Sequence, residues 1–141
     1  MDNKMKLVFP ALSENEQFAR TAVIAFIMKV DPTVEQITDV KTAVSEAVTN
    51  CVVHGYPDKK GEILIECELL NDALHIKISA FGVGISDIEE VLEPFYTSKP
   101  FEERAGMGFT IMRTFMDSFE LTSKPNVGTT VSMVKRLDKI A

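Results

Sequence analysis

The sequence predicts an α+β fold of two layers, a mixed and mostly antiparallel sheet with helices on one face. Three observations carry this. The strand-like segments at residues 62–69 and 74–79 are chain neighbours, joined by Leu70-Asn71-Asp72-Ala73, a plausible hairpin loop. The strongest helical periodicity lies apart from them, at residues 34–56. The 141 residues fit one domain and leave no room for a second.

Each element follows in chain order. Residues 5–9 read as a short strand closed by Pro10. Ser13 and Glu16 have capping-box spacing and open a helix through about residue 28. Its apolar positions Phe18, Ala22, Ile24, Ala25 and Ile27 fit one broad buried face. Asp31-Pro32-Thr33 ends that segment and starts the next, with Pro32 suited to a first helical turn. Beyond it, Ile37, Val40, Val44, Ala47, Val48 and Cys51 recur at spacings of three and four, one stripe on a helix running to about Tyr56. Gly55-Tyr56-Pro57-Asp58 is a turn composition. The two hairpin strands follow, with Leu74, Ile76 and Ile78 on one face of the second. Phe81-Gly82-Val83-Gly84 breaks the pattern, Ser86-Asp87 caps a short helix to about residue 92, and a loop covers residues 93–106. A helix at 108–116 and strands at 119–123 and 129–137, turned by Lys124-Pro125-Asn126-Val127-Gly128, complete the chain.

Composition narrows the function. With 45% hydrophobic and 26% charged residues, a disordered chain is excluded. A net charge of −6 argues against direct nucleic-acid binding, which needs a basic face. No run of 18 apolar residues predicts a membrane span, and the first 17 residues lack a signal-peptide core, so a cytoplasmic protein is expected. Cys51 and Cys67 sit in apolar segments, as buried reduced thiols do.

Several groups could carry chemistry. Glu46, Asn50 and His54, four apart, line up beside the apolar stripe. At a cleft edge they could serve as general base, metal-ion ligand and orienting group; a solvated polar face would look the same. Gly82 and Gly84 follow a strand, and Gly106 and Gly108 precede a helix, where free N–H groups could cradle phosphate. Ordinary turns would also use such glycines. Between them, Thr97, Ser98, Lys99 and Arg104 could close over a polyphosphate, or simply form a solvated loop.

The order of these boxes resembles the GHKL ATPase/kinase superfamily, whose fold is the Bergerat type of two-layer sandwich. Ser45-Glu46-Ala47-Val48-Thr49-Asn50 with His54-Gly55-Tyr56, then Thr97-Ser98-Lys99-Pro100, and Glu103-Arg104-Ala105-Gly106-Met107-Gly108-Phe109-Thr110 are similar to its anti-sigma branch. Leu12-Ser13-Glu14-Asn15-Glu16 and Gly128-Thr129-Thr130 extend the resemblance over essentially the whole chain. It implies a cytoplasmic homodimer that binds ATP and Mg²⁺, holds a sporulation sigma factor inactive, and phosphorylates a serine of an anti-anti-sigma partner. On that resemblance Glu46 is the general base and Asn50 the Mg²⁺ ligand. Gly82, Gly84, Thr97 and Ser98 line the nucleotide site, and Gly106, Met107, Gly108 and Phe109 offer N–H groups to phosphate. Lys99 and Arg104 neutralise charge in the transition state, Thr130 lies near the adenine, and Glu16 and Arg20 meet the protein partner.

One box departs from the pattern. The family's Asp-x-Gly-x-Gly reads Ala80-Phe81-Gly82-Val83-Gly84 here, and Ala80 cannot accept a hydrogen bond from the adenine amino group. Loss of a bond to an ionised acceptor is worth about 1.5–3 kcal/mol, so ATP affinity and adenine selectivity should weaken. Ser79 is adjacent, but strand alternation turns it to the opposite face. Ala105 replaces a small hydroxyl residue, which removes a possible phosphate contact. The alternatives are a sigma-binding module with an impaired nucleotide site, or a GHKL regulator of another partner-switching circuit.

Overall fold

The computed structural model describes residues 2–55, 61–80, 108–124 and 128–137. Five strands form one sheet: β1 (Asn3–Pro10), β2 (Glu62–Leu70), β3 (Ala73–Ala80), β4 (Ser118–Lys124) and β5 (Gly128–Arg136). Their order is β1-β2-β3-β5-β4, and every pairing is antiparallel. The helices described are α1 (Asn15–Ile27), α2 (Val34–Asn50) and α3 (Gly108–Phe115), with α2 packed against both others. This is the α+β sandwich expected, with a sheet antiparallel throughout its described pairings.

Alternation decides which face meets the helices. Register aligns Phe9 with Ile63, Ile63 with Ala80, Ile65 with Ile78, Cys67 with Ile76, and Ile76 with Met133. All of these are buried in one cluster with Ala19, Val23 and Ile27 of α1 and Val40, Val44 and Val48 of α2. The opposite face carries Lys4 and Lys6 beside Glu68 and Glu66, in exposed ion pairs of 3.7 and 3.8 Å. Such pairs add little stability, so the aliphatic face is what holds the two layers together. The β2–β3 hairpin turns on Asn71 and Asp72, both at positive φ (52° and 59°), the backbone of a two-residue type I′ turn.

The helix boundaries differ from expectation in instructive ways. Ser13 forms no side-chain cap: Glu14 occupies the cap position without a side-chain bond, and the Glu16 amide donates to the Ser13 carbonyl at 3.2 Å. The Glu16 carboxylate instead pairs with Arg20 one turn later, at 3.3 Å. The buried face of α1 is Ala19, Val23, Phe26 and Ile27, whereas Phe18 is 56% exposed. The capping box forms at the next helix. Gln36 N donates to Thr33 Oγ1 at 3.1 Å, and Thr33 N donates to Gln36 Oε1 at 2.8 Å. Pro32 therefore precedes the cap rather than entering the first turn. The α-helical part of α2 stops at Asn50 and continues as a π-helical turn, Cys51–Gly55.

Lys135 joins the layers. Lys135 of β5 points to the helix side, where its Nζ donates to Asp39 Oδ2 at 2.9 Å and to the carbonyl of Phe115, the last residue of α3, at 2.8 Å. The short helix expected after Ser86 and the loop at 93–106 lie outside the described residues.

Candidate functional site

Glu46 and Asn50 lie on the flank of α2 where α3 packs, and both are buried, at 5% and 9% exposure. A solvated polar face is thereby excluded at these two positions. Asn50 Nδ2 donates to the Glu46 carbonyl at 2.9 Å. That bond anchors the amide nitrogen and leaves Oδ1 as the atom for a ligand. The first residue of α3, Gly108, rests directly on this amide. A Cβ at Gly108 would overlap Asn50 Nδ2 and stand 3.2 Å from Cγ. Only glycine lets the two elements meet so closely. The start of α3 is thus held against the end of α2. Phe109 is the next residue of α3; its ring is buried and stands edge-on to Phe119, with centroids 6.2 Å apart at 61°.

The π-helical turn that follows Asn50 packs against β3 and β5. Ala80, 1% exposed, lies across from Thr129 on the helix-facing side. Thr129 Oγ1 is 2.8 Å from Ser123 Oγ, and Ser123 Oγ donates to the Gly128 carbonyl at 3.1 Å. Thr130 is on the other face, opposite Ser79, with their hydroxyls 3.2 Å apart. The structure therefore separates Thr130 from Asn50 and Gly108 and brings Thr129 and Ser123 to their side of the sheet instead. A one-residue step along a strand reverses the side chain, and only the cross-strand register reveals which hydroxyl joins Ala80. Ser79 faces away from Ala80, as strand alternation requires.

Glu16 and Arg20 form their ion pair on α1, with side chains 21% and 27% exposed. Gly82, Gly84, Thr97, Ser98, Lys99, Arg104, Gly106 and Met107 lie outside the described residues, and His54 is placed only through its backbone in the π-helical turn. Among the described residues no three His, Cys, Asp or Glu side chains gather to hold a metal ion. Among the described residues, the oxygens at this junction are those of the Asn50 amide and the Glu46 carboxylate. A site of this kind suits Mg²⁺ that takes most of its oxygens from phosphate and water.

No helix among the described residues is long and apolar enough to cross a membrane. Residues 9–135 match the histidine kinase-like ATPase domain family. The chain is 54% identical over 139 residues to the anti-sigma F factor of Clostridium perfringens (strain SM101 / Type A), covering 98% of this chain and 99% of that protein. It is also 54% identical over 140 residues to the anti-sigma F factor of Oceanobacillus iheyensis, covering 99% and 96%. The crystal structure of the RsbU and RsbW domains of Rv1364c from Mycobacterium tuberculosis shares the fold, with a TM-score of 0.72 at 18% identity over 99% of this chain and 34% of that one. With its antiparallel sheet, its glycine-backed Asn50 and near full-length similarity to these relatives, the chain belongs to the histidine kinase-like ATPase domain family and, within it, to the anti-sigma F factors.

Proposed function

We propose that this protein holds a sporulation sigma factor inactive and, using Mg-ATP, phosphorylates a serine of an anti-anti-sigma partner. The observation that carries the reading is the buried junction at the end of α2, where Glu46 and Asn50 are both buried one helical turn apart and α3 begins with Gly108 directly on the Asn50 amide. Membership among the anti-sigma F factors supports the sigma factor as partner. The family's ATPase character supports the nucleotide.

Mg-ATP, when bound, supplies the transferable phosphoryl group. Asn50 Oδ1 would hold the metal, since Nδ2 is committed to the Glu46 carbonyl. Gly106, Met107, Gly108 and Phe109 would offer backbone N–H groups to phosphate oxygens, and Gly82, Gly84, Thr97 and Ser98 would line the remainder of the site. Lys99 and Arg104 would offset the charge that develops at transfer. Glu46 would accept the proton of the incoming serine hydroxyl; its burial keeps bulk water from competing for that role. Glu16 and Arg20, on the outer helix, would meet the protein partner in a homodimer that one sigma factor straddles. Thr129, rather than Thr130, would face the base, because it shares the helix side of the sheet with Ala80.

The test is Glu46→Gln. Phosphate transfer to the partner should fall at least about 100-fold while Mg-ATP binding, followed by calorimetry, stays within about threefold. Undiminished transfer by that variant, or no binding and no transfer by the parent protein at millimolar Mg-ATP, would overturn the reading.

A further inference from the structure

In the function proposed above, phosphate meets the start of α3, a helix of only eight residues. A helix that short is not fixed by its own hydrogen bonds, so what it packs on decides where its first N–H groups lie. Gly108 rests on the Asn50 amide. The next residue, Phe109, is buried, and its ring stands edge-on to Phe119 with centroids 6.2 Å apart at 61°. Phe119 belongs to β4 and has no part in the chemistry above, yet its own place is well fixed. It is partly buried against the core and lies opposite Met133 of β5, which is 1% exposed. Two residues before it, Asp117 clamps the chain to β5. Its amide donates to the Val134 carbonyl at 2.9 Å, and its Oδ2 accepts from the Arg136 amide at 2.7 Å. One ring of the pair is thus anchored to the sheet, while the other sits one peptide from the Asn50 contact.

We propose that Phe119 is a positioning residue for phosphate binding: it holds the Phe109 ring and, through it, the Gly108–Phe109 backbone against Asn50. The inference rests on the nucleotide-site reading given under Proposed function. An edge-to-face aromatic pair is directional in a way that an aliphatic contact is not. Leucine at position 119 would fill much of the same space but let the Phe109 ring, and the peptide beside it, take up more than one orientation. Mg-ATP must then order that backbone as it binds, and the cost appears as lost affinity. The energy of one aromatic pair corresponds to a loss of about two- to tenfold.

Calorimetric titration of the full chain with Mg-ATP, well below its melting temperature, tests this. Phe119→Leu should weaken binding about two- to tenfold, while Phe119→Tyr, which keeps the ring, should stay within about twofold of the parent. Phe109→Leu breaks the same pair from the other side. The double variant Phe109→Leu, Phe119→Leu should therefore bind no more weakly than the weaker of the two single ones. Leu121→Ala is the control for fold stability, because Leu121 also packs on the core from β4. It should lower the melting temperature and leave Mg-ATP affinity within about twofold of the parent. Unchanged affinity in Phe119→Leu, additive losses in the double variant, or an equal loss in Leu121→Ala would make Phe119 an ordinary core residue and overturn the proposal. A parent protein that binds no Mg-ATP at millimolar concentration instead removes the nucleotide site itself, and this inference with it.

Discussion

A thiol buried among aliphatic side chains keeps its proton, and burial pushes both Cys51 and Cys67 up to about 12 from an ordinary 9.0. The unfolded chain ionises these groups above pH 9 while the folded one does not. Stability should therefore be indifferent to them below pH 9 and fall between pH 9 and 12 by about 1.4 kcal/mol per pH unit for each thiol. Thermal melts across that range should show the decline, and a Cys51→Ala, Cys67→Ala double variant should have a shallower one. Gly108 gives a second prediction at this scale. Gly108→Ala drives a methyl into the Asn50 amide and should cost about 1–3 kcal/mol by denaturant melts, with weaker Mg-ATP binding. Of the site, the spacing of Glu46 and Asn50 was legible in the sequence, but their burial was not. A helical wheel places them beside the apolar stripe; it cannot show that α3 covers that flank. Nor could the sequence show that Thr130 and Thr129 face opposite sides of the sheet, since two adjacent threonines are equivalent until a partner strand fixes their register.

At the scale of the element, the helix ends were the least legible parts of the fold. A serine three residues before a glutamate has the spacing of a capping box, yet Glu16 finds Arg20 instead and the box is lost. Thr33 and Gln36 form the real one, so Thr33→Ala should cost about 1 kcal/mol in a denaturant titration. In α1, Phe18, Ala22, Ile24, Ala25 and Ile27 were read as one broad buried face; Ile27 is buried, but its companions are Ala19, Val23 and Phe26. Phe18 is left 56% exposed on the outer side. The strands were read closely because their period of two leaves no ambiguity: β2 and β3 end within two residues of expectation. The π-helical turn after Asn50 escaped the reading because one extra residue per turn alters hydrogen bonding without disturbing a short hydrophobic pattern.

At the scale of the whole molecule, the described parts of the two layers meet through aliphatic contacts and through Lys135. Lys135→Met would leave the Asp39 carboxylate and the Phe115 carbonyl without their donor. Their side of the interface is largely enclosed, the Lys135 and Asp39 side chains being 13% and 15% exposed, so the loss should be about 2–3 kcal/mol in a denaturant melt. The sandwich architecture was legible from the order of segments alone; this bridge was not, because it joins residues 96 positions apart. Its effect reaches past stability. Asp39 belongs to the helix that ends in Asn50, and Phe115 ends the helix that begins with Gly108. One ammonium group therefore couples the two arms of the cleft at their far ends, as a rivet joins the handles of a pair of tongs. Amide protons in α2 and α3 should then exchange with solvent as one cooperative unit, and a partner that loosens either helix would release the grip of both.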